Sequence, residues 1–236
     1  MKKYGFFCVF FLLILSLVTS CLGDSGQKIF MGNYPGVVVK RNDSVKIHLK
    51  GGDVVYSSLI SADVDDGDGV LIDFSLDYSL PINADSGKVK GFLTVDVSSL
   101  TPVPGHDLLA FRTDTSAVLP HEHTLASIQQ RNAFILNRFF LFTEHRSDTL
   151  PLHFELSYDP DQVITDKVYD LFLRVAKEVE SPSALQLKTQ YNTFNISDLS
   201  HRETDSLLFR IHYVTGFNKD STQISWVATP IYRFAL

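Results

Sequence analysis

Cysteine is almost absent: the chain of 236 residues holds two, Cys8 and Cys21. Cys8 sits inside an apolar run, Phe6 to Leu17, that follows Lys2 and Lys3 and reads as the core of a secretory signal at 1–20. Cleavage after residue 20 leaves one cysteine, so no disulfide can form within the mature chain, although an exported protein's compartment permits one. The chain also lacks an apolar stretch of the ~20 residues that a spanning helix needs. Gly23, Asp24 and Ser25 stand where a basic stop-transfer cluster would follow. Positive charge is short as well, 21 basic against 27 acidic residues, a formal charge of −6 that becomes more negative when Lys2 and Lys3 leave. That balance argues against nucleic acid and against electrostatic attraction to an anionic membrane, both of which need a positive surface.

Catalytic signatures are missing too. There is no Gly-x-Ser-x-Gly, and Ser25-Gly26-Gln27-Lys28 fits Ser-x-x-Lys without the Ser-Asp-Asn and Lys-Thr-Gly that accompany it in penicillin-binding enzymes. The expectation is a protein that is not an enzyme and carries no cofactor.

The signal ends in Val18-Thr19-Ser20-Cys21. An aliphatic residue, two small or β-branched residues and a cysteine resemble a bacterial lipobox. In such signals the thiol receives a diacylglycerol, cleavage leaves Cys21 as the amino terminus, and palmitate-class chains complete the anchor. Each buried methylene contributes ~0.8 kcal/mol, so several chains hold a protein on a membrane stably. Cys21 is thus the expected lipidation site, with the protein in the cell envelope on the outer membrane. Leu22, Gly23, Asp24 and Ser25 hold a single acid and leave the periplasmic and surface faces both open.

Hydrophobic residues make up 44% and aromatics 12%, enough apolar surface for packed domains rather than a disordered stalk. Residues 21–29 read as a tether. From Gly36 the period is two: strands at about 36–41, 44–50 and 53–59 form a meander turned by Asn42-Asp43 and Gly51-Gly52-Asp53. The acidic turn 63–69 introduces a fourth strand at 70–76, and a fifth runs through 92–97. Five short strands without a helical period predict an OB-like barrel at 30–112, with 108–111 as its last strand. Thr101-Pro102-Val103-Pro104-Gly105 should break the sheet, because proline removes a ladder donor. After a linker at 113–124, alternation at 133–143, 152–158, 169–175, 207–213 and 224–228 predicts an antiparallel β-sandwich at 125–236, with a helical turn considered at 161–166. The fold class is therefore all-β.

Several features coincide: a lipobox, a short acidic tether, an Asp-Gly turn leading into Val70-Leu71-Ile72, and Asn195-Ile196-Ser197-Asp198-Leu199 followed by Asp205-Ser206-Leu207-Leu208-Phe209-Arg210-Ile211. Together they resemble the NigD-like lipoproteins of Bacteroidales. The resemblance implies an N-terminal OB-like domain, a C-terminal β-sandwich and a link to bacteriocin immunity; the long fifth strand and the Pro-rich linker depart from that pattern.

Two clusters invite a metal. Asp63, Asp65, Asp66 and Asp68 crowd one turn, but counting from Asp63 the calcium-loop template meets Gly67 at its fifth position, Asp68 at its sixth and Phe74 at its twelfth. A solvated turn is the better reading, and no metal is expected. His121 and His123 would point to one side of an extended segment, yet a third ligand is missing and a surface loop accounts for them. Phe140 and Phe172, on faces opposite their neighbours' cores, are the aromatics to check for exposure. The sequence therefore predicts a non-catalytic, lipid-anchored binding protein with a protein or glycan partner and no nucleic acid. The alternatives are a fimbrillin-like adhesin or structural subunit and a surface glycan-binding lipoprotein.

Overall fold

The computed structural model describes residues 28–41, 44–60, 64–84, 91–111, 117–129, 132–147, 152–162, 167–177 and 186–236. Cys21, Asp63, the Asn42-Asp43 turn and most of the helical turn considered at 161–166 lie outside them. The fold is all-β, as the alternation predicts.

The first sheet contains β1 (Lys28–Arg41), β2 (Ser44–Leu49), β3 (Val54–Tyr56), β4 (Gly69–Asp77), β5 (Leu93–Thr94) and β6 (Asp96–Pro102), with a one-turn helix α1 (Pro81–Ala84) between β4 and β5. Its order is β5-β3-β2-β1-β4-β6. The two end strands are consecutive in the chain and interrupted only at Val95, whose side chain enters the core. One bent strand therefore pairs with β3 through its first half and with β4 through its second, which closes the sheet into a barrel. The ladder continues through Pro102, opposite Val70, where a break was expected. Among the described residues β6 has a partner on one side only, so the missing donor costs no bond there. β1 is longer than the period-two signal: its first residues, Lys28 to Met31, pair with β4 but carry exposed side chains that hid the alternation.

Next come β7 (Gly105–Asp107) and β8 (Leu109–Ala110). They do not complete the barrel, as expected for 108–111, but join the two sheets of the second half. β7 runs parallel to β14 (Gln186–Asn195), and β8 parallel to β12 (Leu152–Tyr158). The chain changes sheets at Leu108, which is buried.

One sheet of the sandwich holds β9 (Ser127–Ile128), β10 (Ala133–Ile135), β11 (Arg138–Ser147), β14 and β7. Its partner holds β12, β13 (Val168–Lys177), β15 (Ser206–Phe217), β16 (Ile224–Ala228), β17 (Tyr232–Ala235) and β8. Phe139, Leu141 and Phe194 from the first meet Phe154, Leu156, Leu171, Leu173, Phe209 and Ile211 from the second. Burying one such side chain contributes ~1.5–3 kcal/mol, and this cluster is the largest of the hydrophobic clusters among the described residues. The sandwich is mixed rather than wholly antiparallel: β13 and β15 run parallel. The chain leaves the second sheet after β13, builds β14 in the other and returns as β15, and such a crossover brings a strand back in the same direction.

Barrel and sandwich share a third core. Val37, Leu71 and Val103 from the barrel pack with Ala133, Ile135, Phe140 and Phe142 from the sandwich. Val38 and Ile72, next in the chain to Val37 and Leu71, point into the barrel. Both faces of β1 and β4 are thus buried at this level, which is why Val37-Val38 and Val70-Leu71-Ile72 are continuous apolar runs and not a strict alternation. Phe140 belongs to this junction and is 1% exposed.

Candidate functional site

The barrel and the sandwich meet along a cleft of about 570 Å³, within the size range of ligand pockets. One wall is the β2–β3 hairpin, with His48 and Leu49 followed by Gly51 and Gly52, whose φ of 101° and 92° only glycine adopts freely. Opposite it stands the β10–β11 hairpin. Ile135 pairs with Arg138, so Leu136 and Asn137 form a two-residue turn with φ of 46° and 65°. Positive φ at both positions is the geometry that matches the twist of a hairpin. Asn137 suits it, but a leucine there is strained, and Leu136 holds its side chain 52% exposed at the cleft.

A third wall comes from α2 (Ser197–Ser200) and the last strand. Ser200 Oγ lies 2.8 Å from Asn137 Oδ1 and 3.1 Å from the Ser197 carbonyl oxygen, and the Ile196 amide donates to the Asn137 carbonyl at 2.9 Å. The strained turn is therefore tied to α2. Phe134, Ile135 and Leu236 supply apolar surface, and no Asp or Glu lines the cleft. Burial holds the His48 imidazole below its ordinary pKa, and the charges of Arg41 and Lys46 add to that. The cleft presents the His48 and His201 imidazoles, the Asn137 amide and the Ser200 hydroxyl around an apolar floor. The single Ser200 hydroxyl proton is shared between the Asn137 Oδ1 and Ser197 carbonyl acceptors.

The acidic turn belongs to the junction. Asp66 Oδ1 accepts the Lys40 amide at 2.8 Å, and Asp68 Oδ2 accepts the Asp65 amide at 2.7 Å. The Gly67 carbonyl accepts Arg138 Nε of the sandwich at 3.0 Å. Two of the carboxylates proposed as weak calcium ligands thus fold the turn, and the turn docks the domains. Lys50 adds a second link, donating from Nζ to the Asn132 carbonyl at 3.4 Å.

The described part of the expected linker, 117–124, with the surface loop expected at His121-Glu122-His123, is a strap laid against the second sheet. Ala117 bridges to Gln223 and Glu122 to Ala176, while the His123 amide donates to the Val175 carbonyl at 2.7 Å. His121 lies at φ 58°, so the extended geometry that would set it on one side with His123 is not formed. His123 meets His145 instead, ring centroids 6.0 Å apart. Among the described residues no group of three or more His, Cys, Asp and Glu side chains converges. Phe172 is half-buried on the outer face; its ring stacks on His212 and meets Trp226 edge-on at 78°, so these rings form no flat platform.

Leu136, Asn137 and Ser200 were not singled out from the sequence. The signal available was the pair Asn137-Arg138 interrupting the apolar run from Ala133 to Thr143.

Residues 26–101 match the family described as a lipoprotein OB domain, in agreement with the barrel. Solved structures of similar fold include an uncharacterized protein from Parabacteroides merdae, at 22% identity and a TM-score of 0.74, covering 88% of this chain and 98% of that one. A proposed lipoprotein from Bacteroides fragilis is similar at 12% identity and a TM-score of 0.60, over 88% of this chain and 97% of its own. A NigD-like immunity protein from Bacteroides caccae is similar at 9% identity and a TM-score of 0.54, over 87% and 97%. At these identities the likeness is one of fold, and the two-domain architecture is that expected from the NigD-like resemblance. No curated protein matches the sequence.

Proposed function

We propose that the chain is a non-catalytic lipoprotein of the cell envelope, anchored through Cys21 in the outer membrane, whose two β domains present one rigid surface for a protein partner. The observation that carries this reading is the shared core: Val37, Leu71 and Val103 packed on Phe140 and Phe142 hold the walls of the junction cleft in fixed relation. A preformed apolar cleft binds without the cost of ordering its walls first. The lipoprotein OB match over 26–101 supports the anchor. Similarity of fold to a NigD-like immunity protein supports a bacteriocin-type toxin as the class of partner. Two experiments test it. Cys21→Ser should release a folded protein from the membrane fraction, and retention of that variant refutes the anchor. Leu136→Asp, which charges the cleft without touching the core, should abolish capture of the partner from toxin-producing cultures; undiminished capture removes the cleft as the binding site.

A further inference from the structure

The barrel gathers exposed apolar side chains at one end. Ile29, Phe30 and Met31 on β1 are 41%, 67% and 36% exposed, and Tyr78, Leu80 and Ile82 after β4 are 44%, 44% and 41% exposed. The β1–β4 register sets Lys28 opposite Asp77 and Ile29 opposite Leu76, so the start of β1 and the loop leaving β4 lie side by side. Ile29, Met31 and Tyr78 line one small cavity there. The exposure is built into the fold. Asn83 of α1 is 4% exposed; its Nδ2 donates to the Asp77 carbonyl at 2.7 Å and the Thr94 carbonyl at 2.9 Å, and its Oδ1 accepts the Thr94 amide at 2.9 Å. The loop carrying Tyr78, Leu80 and Ile82 is thereby pinned across the end of the barrel. Val37, where the shared core begins, lies six residues beyond Met31 on the same strand, at most about 20 Å along it at ~3.3 Å per residue. Leu49 lines both the small cavity at this end and the junction cleft.

We propose that this end of the barrel docks in the interfacial layer of the lipid bilayer. The inference rests on the lipidation of Cys21. The occupant follows from chain length: fully extended, the segment from Cys21 to Lys28 spans at most about 25 Å, so the apolar end stays within that distance of the membrane that holds the acyl chains. Tyrosine suits the headgroup level, with an apolar body and a polar tip, and Lys28 can lay its stem on lipid while its ammonium stays in water. The net negative charge of the chain makes the contact apolar rather than electrostatic, and so insensitive to salt. Docked in this way, the barrel meets the bilayer through the start of β1 and the loop leaving β4.

The acylated protein, reconstituted in vesicles of phosphatidylethanolamine and phosphatidylcholine, tests this. The mature chain has no second cysteine, so Phe30→Cys, Leu80→Cys and, as a reference on the sandwich, Leu187→Cys (60% exposed in the wild type) each take one polarity-sensitive fluorophore. Expected is a blue shift at positions 30 and 80 with quenching by nitroxide-bearing lipid, unchanged in high salt, and neither effect at 187. Protein that floats with the vesicles while positions 30 and 80 remain as water-exposed as 187 overturns the docking alone. Protein that does not float overturns the anchor, and the docking with it. Shielding of position 30 before vesicles are added, with a doubled mass in light scattering, assigns the surface to a second copy of the chain and also overturns the proposal.

Discussion

Arg174 holds Glu122 in a two-pronged grip, Nε to Oε1 at 2.7 Å and Nη2 to Oε2 at 2.5 Å, with 6% and 1% of the two side chains exposed. A second Nη2 contact reaches the Ala117 carbonyl at 2.7 Å, so one guanidinium on β13 fastens the strap at two points. Parallel charge-assisted bonds of this kind are strong and geometrically exacting.

Removing one partner leaves the other charged and buried. Glu122→Ala should cost about 3–5 kcal/mol in urea denaturation, while Glu122→Leu combined with Arg174→Met should recover most of that loss. A single variant within 1 kcal/mol of wild type would show that the strap is not held by the pair.

Gly69 lies where the barrel closely approaches the sandwich: a Cβ there would lie 2.5 Å from Thr193 Cγ2. Gly69→Ala should therefore destabilise by roughly 1–3 kcal/mol through overpacking. Thr193→Ala in the same chain should relieve it, because touching residues couple and distant ones add. Chemical denaturation of the two single variants and the double variant measures that coupling.

His145 on β11 is 3% exposed, and burial, followed by the charges of His123 and Lys188, lowers its pKa to about 4. In the unfolded chain the ring takes its proton near the ordinary imidazole value of ~6.5. Below that pH the unfolded state binds a proton that the folded state refuses, so stability falls as pH drops from about 6.5 to about 4, by about 3 kcal/mol from this residue. His145→Leu should lose less stability over that window than wild type does, when denaturation midpoints are compared at pH 7 and pH 4.5. Identical losses would exclude His145 as a source of the acid sensitivity.

Asn83→Ala strips three buried hydrogen bonds from α1 and should cost about 1–3 kcal/mol, with the Thr94 amide and two carbonyls left to find water. Hydrogen exchange should rise in 78–84 and at Thr94 before it rises in the sandwich. Uniform protection across both domains would show that the loop is held by something else.

The elements legible in the sequence are those with one buried face. β2, β12, β13 and β15 alternate cleanly because their other side meets solvent or polar neighbours. β14 did not announce itself: Lys188, Thr189, Gln190 and Asn192 give no apolar alternation and no strand was expected there, and the strand exists because β11 offers Arg138 to Ser147 as a continuous ladder. Tertiary pairing overrode local preference there. The cleft was hidden for a related reason. Leu136 at positive φ looks like one more residue of an apolar run, and only the pairing of Ile135 with Arg138 shows that the chain reverses at it. The Arg174–Glu122 pair joins residues far apart in sequence, and no spacing rule links them before the topology is known.

β1 has one further consequence, a mechanical one. From Lys28 to Val37 it lies antiparallel to β4, and the bonds between antiparallel strands run perpendicular to their length. Tension applied to the amino-terminal end of the chain along that axis loads the whole ladder in shear, every bond at once, instead of peeling them singly. The first strand of the fold is thus also its tow-line, and a pull on Lys28 is carried by the barrel wall to the junction with the sandwich.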